Sequence, residues 1–182
     1  MNLPNSVLAK LQRGEVSVGS WLNLVSPLAG EVRAGAGCEW LLMDSVHAAC
    51  DLGLITEGIR AIESQGCVPL VRPWSQDPTA FARILDAGAM GLVIPHVSTV
   101  EQAKAIADAV RYPPRGHRSS GTSRATIERG WSSQINDNLI ICPQIEDMEG
   151  VDNIEAIMAV DGMDVAYICL LYTSDAADDT PC

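Results

Sequence analysis

The sequence predicts an α/β fold in which parallel strands and helices alternate and curl into a barrel. Three observations carry that expectation. Apolar, strand-like runs alternate with helical spacings along most of the chain. Three of those runs end in polar side chains able to do chemistry: Trp40-Leu41-Leu42-Met43 stops at Asp44 and delivers His47 three residues later, Val68-Pro69-Leu70-Val71 stops at Arg72, and Leu139-Ile140-Ile141-Cys142-Pro143 leads into Gln144 and Glu146. Polar residues just past C-terminal strand ends are where β/α barrels build their active sites. Finally, no G-x-G-x-x-G follows the first strand, which weighs against a Rossmann-type sheet. A closed eight-stranded barrel takes about 250 residues. The 182 residues here therefore predict an incomplete (β/α)8 TIM barrel, with about six of the eight strands.

The elements follow in order. Asn5 or Ser6 caps a short helix that stops near Gly14. Residues 16–22 alternate as a first strand, and Pro27 opens a helix at a tolerated first-turn position. Residues 39–43 form the second strand. Leu52, Ile55, Ile59 and Ile62 repeat at helical spacing up to Gly66, and residues 67–71 form the third strand. Asp77-Pro78 starts a helix with Phe81, Ile84 and Leu85 on one face; the fourth strand, residues 90–94, leads to Pro95-His96. Ser98-Thr99 caps the next helix, with Glu101 at capping-box spacing from Ser98 and Lys104 four residues from Asp108 on its exposed face. A long polar segment, residues 112–138, reads as a functional loop. The fifth strand (139–144), a helix (148–160) and a sixth strand (163–168) complete the pattern. Such regular repetition implies right-handed crossovers and a parallel sheet.

Composition narrows the function classes. The net charge of −11 makes nucleic acid or an anionic membrane an unsuitable partner, because both need a basic face. No apolar run reaches the roughly 18 residues of a membrane span, and residues 1–5 show neither a basic start nor an apolar stretch of a signal peptide. The six cysteines lack C-x-x-C or zinc-finger spacing, and read as buried small hydrophobes of a reducing, cytoplasmic protein. Aromatics make up only 4 % of residues, so the core is built from Ala, Val, Ile and Leu.

At the strand ends, His47 is a candidate general base, since its pKa range lies near neutrality. The plain alternative is a structural histidine. Arg72 can bind a carboxylate or a developing enolate oxygen; otherwise it is a surface ion pair. Asp86 can orient and polarise a histidine, or simply face solvent from a helix end. Gln144 and Glu146 offer the oxygen ligands that hard divalent ions prefer, although one carboxylate makes a weak site. His96, at the end of the fourth strand, can line the mouth, though it reads mainly as packing. His117 lies in Arg115-Gly116-His117-Arg118, a loop for an anionic tail or for solvent. The only lysines are Lys10 and Lys104, both on predicted helices. A Schiff-base aldolase needs a lysine in the pocket, so carbonyl chemistry here calls for a metal Lewis acid.

At these residues the chain resembles the HpcH/HpaI aldolase family of class II, metal-dependent pyruvate aldolases, in particular its 4-hydroxy-2-oxoheptanedioate and sugar-acid branches. The resemblance rests on Gly19-Ser20-Trp21, Glu39-Trp40-Leu41-Leu42-Met43-Asp44 with His47, Pro69-Leu70-Val71-Arg72-Pro73, Leu85-Asp86-Ala87-Gly88-Ala89, Arg111-Tyr112-Pro113-Pro114 and Gln144-Ile145-Glu146. It implies a barrel of the phosphoenolpyruvate/pyruvate type and a carbon–carbon lyase that interconverts 4-hydroxy-2-oxo acids with pyruvate and an aldehyde. By position it makes His47 the base, Asp86 the group that raises its basicity, Arg72 the enolate stabiliser, Gln144 a substrate contact and Glu146 a ligand for Mg²⁺ or Mn²⁺, with Co²⁺ a further choice. It also implies a homo-oligomer, often a hexamer. Val46 departs from the family, which carries an acidic residue there. Related barrel lyases, citrate lyase β-like or decarboxylating, and a catalytically silent scaffold are the competing readings.

The family has Gly-Pro-x-Asp-Leu after the sixth strand, whose aspartate is the second metal carboxylate. Here residues 169–179 instead resemble the translation of a transposase sequencing adapter. The expected organisation is a partial barrel over residues 1–168 followed by a non-native tail over 169–182, a product inactive as it stands.

Overall fold

Alternating strand faces organise the molecule. The computed structural model describes residues 4–130 and 132–170. Six strands lie parallel in sequence order: β1 (Gly19–Leu22), β2 (Trp40–Asp44), β3 (Val68–Arg72), β4 (Gly91–Ile94), β5 (Ile140–Ile145) and β6 (Tyr167–Ile168). Helices precede and connect them: α1 (Ser6–Gln12), α2 (Pro27–Gly35), α3 (Leu52–Ser64), α4 (Pro78–Asp86), α5 (Val100–Val110), α6 (Arg124–Arg129), α7 (Ser132–Asn136), α8 (Met148–Asp152) and α9 (Ile154–Met158). The sheet is curled into an incomplete TIM barrel. Its curl is deep enough for the Trp21 and Tyr167 rings, from the first and last strands, to meet across the interior with centroids 5.8 Å apart.

One strand face packs outward against the helices: Leu41, Met43, Val71, Leu92, Ile94 and Ile141 share a core with α3 and α4. The other face fills the barrel with Leu42, Val68, Leu70, Val93, Ile140 and Cys142. Gly19 leaves room in this interior, because a Cβ there would meet the Trp40 ring at 2.1 Å. With both faces covered, the strands read as continuous apolar runs. On α3, Ile55, Ile59 and Ile62 are fully buried. Ile59→Ala is expected to cost about 2–5 kcal/mol, read by urea denaturation.

Asn5 fastens α1. Its side-chain oxygen accepts from Leu8 N at 3.1 Å, and its Nδ2 donates to Met90 O (3.1 Å) and Asn138 O (3.0 Å). Its backbone N–H donates to Asn138 Oδ1 at 2.9 Å.

Several boundaries differ from expectation, each for a local reason. The first strand starts at Gly19 rather than Val16, and Val16 and Val18 are exposed. The cap of α5 is Thr99 with Gln102, not Ser98 with Glu101. Asp108 pairs with His117 Nδ1 at 2.6 Å instead of with Lys104. The expected long loop contains α6, started by a Ser123–Thr126 capping box, and α7. The helix expected over 148–160 breaks at Asn153, whose Nδ2 donates to Ser98 O at 2.8 Å. The sixth strand begins late because the Asp164 side chain already accepts the Ile141 N–H at 2.8 Å. Cys67 and Cys142 are buried, whereas Cys38, Cys50 and Cys169 are half-buried, and all five are free thiols. Of residues 169–182, only Cys169 and Leu170 are described; Cys169 N still bonds Ile145 O at 2.8 Å. Among the described residues no helix is long and apolar enough to cross a membrane.

Candidate active site

Parallel strands bring all their C-terminal ends to one mouth, and register decides which side chains meet there. Asp44 lies opposite Arg72. Arg72 Nε donates to Asp44 Oδ1 at 2.9 Å and Nη2 donates to Oδ2 at 2.6 Å, a bidentate pair with side chains 8 % and 0 % exposed. Asp44 Oδ1 also accepts the backbone N–H of Val46 (2.9 Å) and of His47 (3.3 Å). One carboxylate thus fixes both the guanidinium and the turn that carries His47. Burial works against ionisation of Asp44, but the Arg72 hydrogen bonds and the backbone N–H groups outweigh it and hold its carboxyl below the usual range. The Arg72 guanidinium lies over the Trp21 ring, with Cζ 4.4 Å from the centroid. Its Nη1 keeps no hydrogen-bond partner among the described residues. The His47 side chain is exposed at the same mouth.

From β5, Gln144 is fully buried and donates Nε2–H to Glu146 Oε2 at 2.9 Å. The Gln144 Oε1 atom is buried without a partner. Glu146 Oε1 accepts the His96 backbone N–H at 2.7 Å and lies 3.1 Å from His96 Nδ1. His96 takes φ 57°, left-handed backbone uncommon for a non-glycine residue. Gln76 Nε2 and Gln102 Nε2 hold its carbonyl at 3.1 and 3.2 Å. His96 was expected to pack; instead its ring is exposed beside Glu146.

Asp86 ends α4, five residues before β4 begins. Helices of a parallel β/α sheet run against the strands, so Asp86 falls at the end opposite the mouth. There it accepts from Arg118 Nη2 at 2.5 Å and from Tyr112 Oη at 3.5 Å. Within this chain the structure brings Arg72, Gln144, Glu146 and the His47 turn to the mouth and leaves Asp86 apart from them. The Arg115–Arg118 loop is likewise committed: Arg115 pairs with Asp137 at 2.8 Å, and buried Arg118 stacks on Tyr112 at 4.4 Å. Neither lysine reaches the mouth. Lys10 pairs with Glu39 at 2.6 Å before β2, and Lys104 is exposed on α5. Strand-end reading names Asp44 as a strand terminus without giving it a role, ranks His96 below packing and gives Trp21 no role. The in-register match of Asp44 with Arg72 and the Asx turn of Asp44 onto the His47 N–H would have signalled the first.

A gripped arginine, an unpartnered amide oxygen and a carboxylate at the mouth of a parallel β/α barrel place the chain in the class of barrels that carry a polar site at their strand ends. The chain belongs to the HpcH/HpaI aldolase/citrate lyase family, whose family model matches residues 17–171. It is 42 % identical over 168 residues to a 4-hydroxy-2-oxovalerate aldolase of Novosphingobium aromaticivorans, covering 90 % of this chain and 64 % of that protein. A hydroxypyruvate/pyruvate aldolase of Pseudomonas aeruginosa is 36 % identical, with 92 % and 65 % covered. The crystal structure of an HpcH/HpaI aldolase/citrate lyase family protein from Burkholderia cenocepacia J2315 superposes with a TM-score of 0.84 at 31 % identity, covering 90 % of this chain and 68 % of that one. The chain therefore spans slightly under two thirds of the length of these curated relatives.

Proposed function

We propose that this mouth belongs to a metal-dependent aldolase that cleaves 4-hydroxy-2-oxo acids to pyruvate and an aldehyde, or joins them in reverse. The observation that carries the reading is that Glu146, held by Gln144 Nε2, stands beside the buried and partnerless Gln144 Oε1 at the same mouth as Arg72. A carboxylate and an amide oxygen are donors suited to a hard divalent ion such as Mg²⁺ or Mn²⁺. Among the described residues no cluster of three His, Cys, Asp or Glu groups forms, and the Gly-Pro-x-Asp-Leu stretch that would bring a second carboxylate does not follow Ile168 in this sequence. Glu146 and Gln144 would hold the ion, which when bound supplies Lewis-acid polarisation of the oxo-acid carbonyl.

The chain's own residues do the rest. His47 takes the proton from the C4 hydroxyl, directly or through water. The C4–O bond becomes a carbonyl, the C3–C4 bond breaks, and its electron pair passes to the pyruvate enolate. Arg72 Nη1 donates to the oxygen that becomes anionic, and the enolate is then protonated at C3. Asp86 is too far along the barrel to polarise His47 of its own chain, so that role requires a second copy, consistent with a homo-oligomer, up to a hexamer, as the working form. Retro-aldol assay across 4-hydroxy-2-oxo acids, with and without EDTA, tests the reading in the barrel completed to the length of its relatives, and the kinetic variants below are read in that protein. Cleavage that persists in EDTA, or a borohydride-trappable adduct, would overturn it. His47→Ala is expected to lower kcat about 10²–10⁴-fold with little change in KM; unchanged turnover removes His47 from the mechanism.

A further inference from the structure

We propose that Trp21 and Tyr167 are positioning residues for Arg72, and that the Tyr167 phenolic oxygen fixes the indole on which the guanidinium rests; the catalytic consequence rests on the reading of Arg72 given above. Asp44 grips Arg72 through Nε and Nη2. Two bonds along one edge leave the guanidinium plane free to rock about the line between those atoms. Rocking swings Nη1, the nitrogen left over for substrate. The Trp21 face, 4.4 Å from Arg72 Cζ, closes off that motion.

The indole is held in turn. Trp21 Nε1–H donates to Tyr167 Oη at 2.5 Å, and the two rings meet edge on at 62°. Tyr167 sits in register with Gln144. A single chain of contacts thus runs from the strand neighbouring Gln144, across the barrel, to Arg72. It joins the first and last strands of the sheet, residues 146 positions apart. Phenylalanine at 167 would keep the ring but strip the indole N–H of its acceptor in a half-buried place.

The test uses the full chain with Tyr167→Phe, Trp21→Phe and the double variant. The first readout is hydrogen exchange of the Arg72 Nε–H by ¹⁵N NMR, its resonance assigned by its loss in Arg72→Lys. Tyr167→Phe is expected to speed that exchange about tenfold, the scale of one lost hydrogen bond. The second readout is retro-aldol kinetics of the same variants in the barrel completed to the length of its relatives. Tyr167→Phe is expected to lower kcat about tenfold with KM within about twofold, and adding it to Trp21→Phe is expected to cost nothing more. Unchanged Arg72 exchange in Tyr167→Phe, or additive losses in the double variant, would overturn the proposal. If the barrel completed to the length of its relatives cleaves no 4-hydroxy-2-oxo acid, the aldolase reading falls, while the exchange measurement on this chain still decides the positioning.

Discussion

Asp44→Ala is expected to destabilise the fold by about 3–5 kcal/mol, a large share of the 5–15 kcal/mol typical of a domain. The loss comes less from the attraction removed than from the charge left behind. Arg72 is 6 % exposed and would remain in place with two donors unpaired. Two backbone N–H groups, on Val46 and His47, would lose their acceptor as well. The same logic predicts that Asp44→Leu combined with Arg72→Met restores most of the loss, because removing both charges leaves neither stranded. Urea denaturation of the two variants checks the pair; equal destabilisation in both would contradict it. The sign with pH follows. The folded pKa of Asp44 lies below its unfolded value, so its stabilisation is present above the unfolded pKa and is lost as pH falls through the folded one. Asp44→Ala should therefore narrow its gap from the parent below about pH 4.

Glu146→Gln is expected to lower cleavage about 10²–10³-fold and to weaken Mn²⁺ binding seen by electron paramagnetic resonance. The substitution keeps the shape and removes the negative charge. A Lewis acid supplies several kcal/mol of charge stabilisation, and each 1.36 kcal/mol is a factor of ten in rate. The amide would also turn a donor or an oxygen toward Gln144 Nε2 and the His96 N–H, which now share the two carboxylate oxygens. His96→Gly separates the contributions on that side: the N–H to Glu146 stays and the imidazole goes. Turnover and Mn²⁺ affinity unchanged in Glu146→Gln would take this residue out of the proposed ion site.

Strand ends were readable in the sequence because strands covered on both faces become near-continuous apolar runs, and their first polar residue marks the exit. Arg72, Gln144 and Glu146 were found that way, and the mouth holds all three. Asp44 is legible as a strand terminus, but its role is not, because that depends on register with a residue 28 positions away, which no local pattern states. His96 ranks below packing in the sequence because its placement rests on a left-handed backbone and a partner at the end of another strand. The short α6 and α7 lie in a polar stretch with no apolar periodicity, and only the Ser123–Thr126 spacing hinted at a start. Asp86 is the instructive case. Its resemblance-based role placed it beside His47, yet a residue at the end of a helix in a parallel β/α sheet must emerge at the far end from the strand exits.

The Asn5 clasp has a consequence for how the polypeptide comes together. Its partners, Met90 and Asn138, lie 85 and 133 positions downstream. Helix α1 is made before either partner and cannot seat until Asn138 has left the ribosome. Contacts of such long span carry a heavy loop-closure cost and form late. Helix α1 is thus among the last pieces to settle, and during synthesis its apolar side, Val7 and Leu8, waits uncovered.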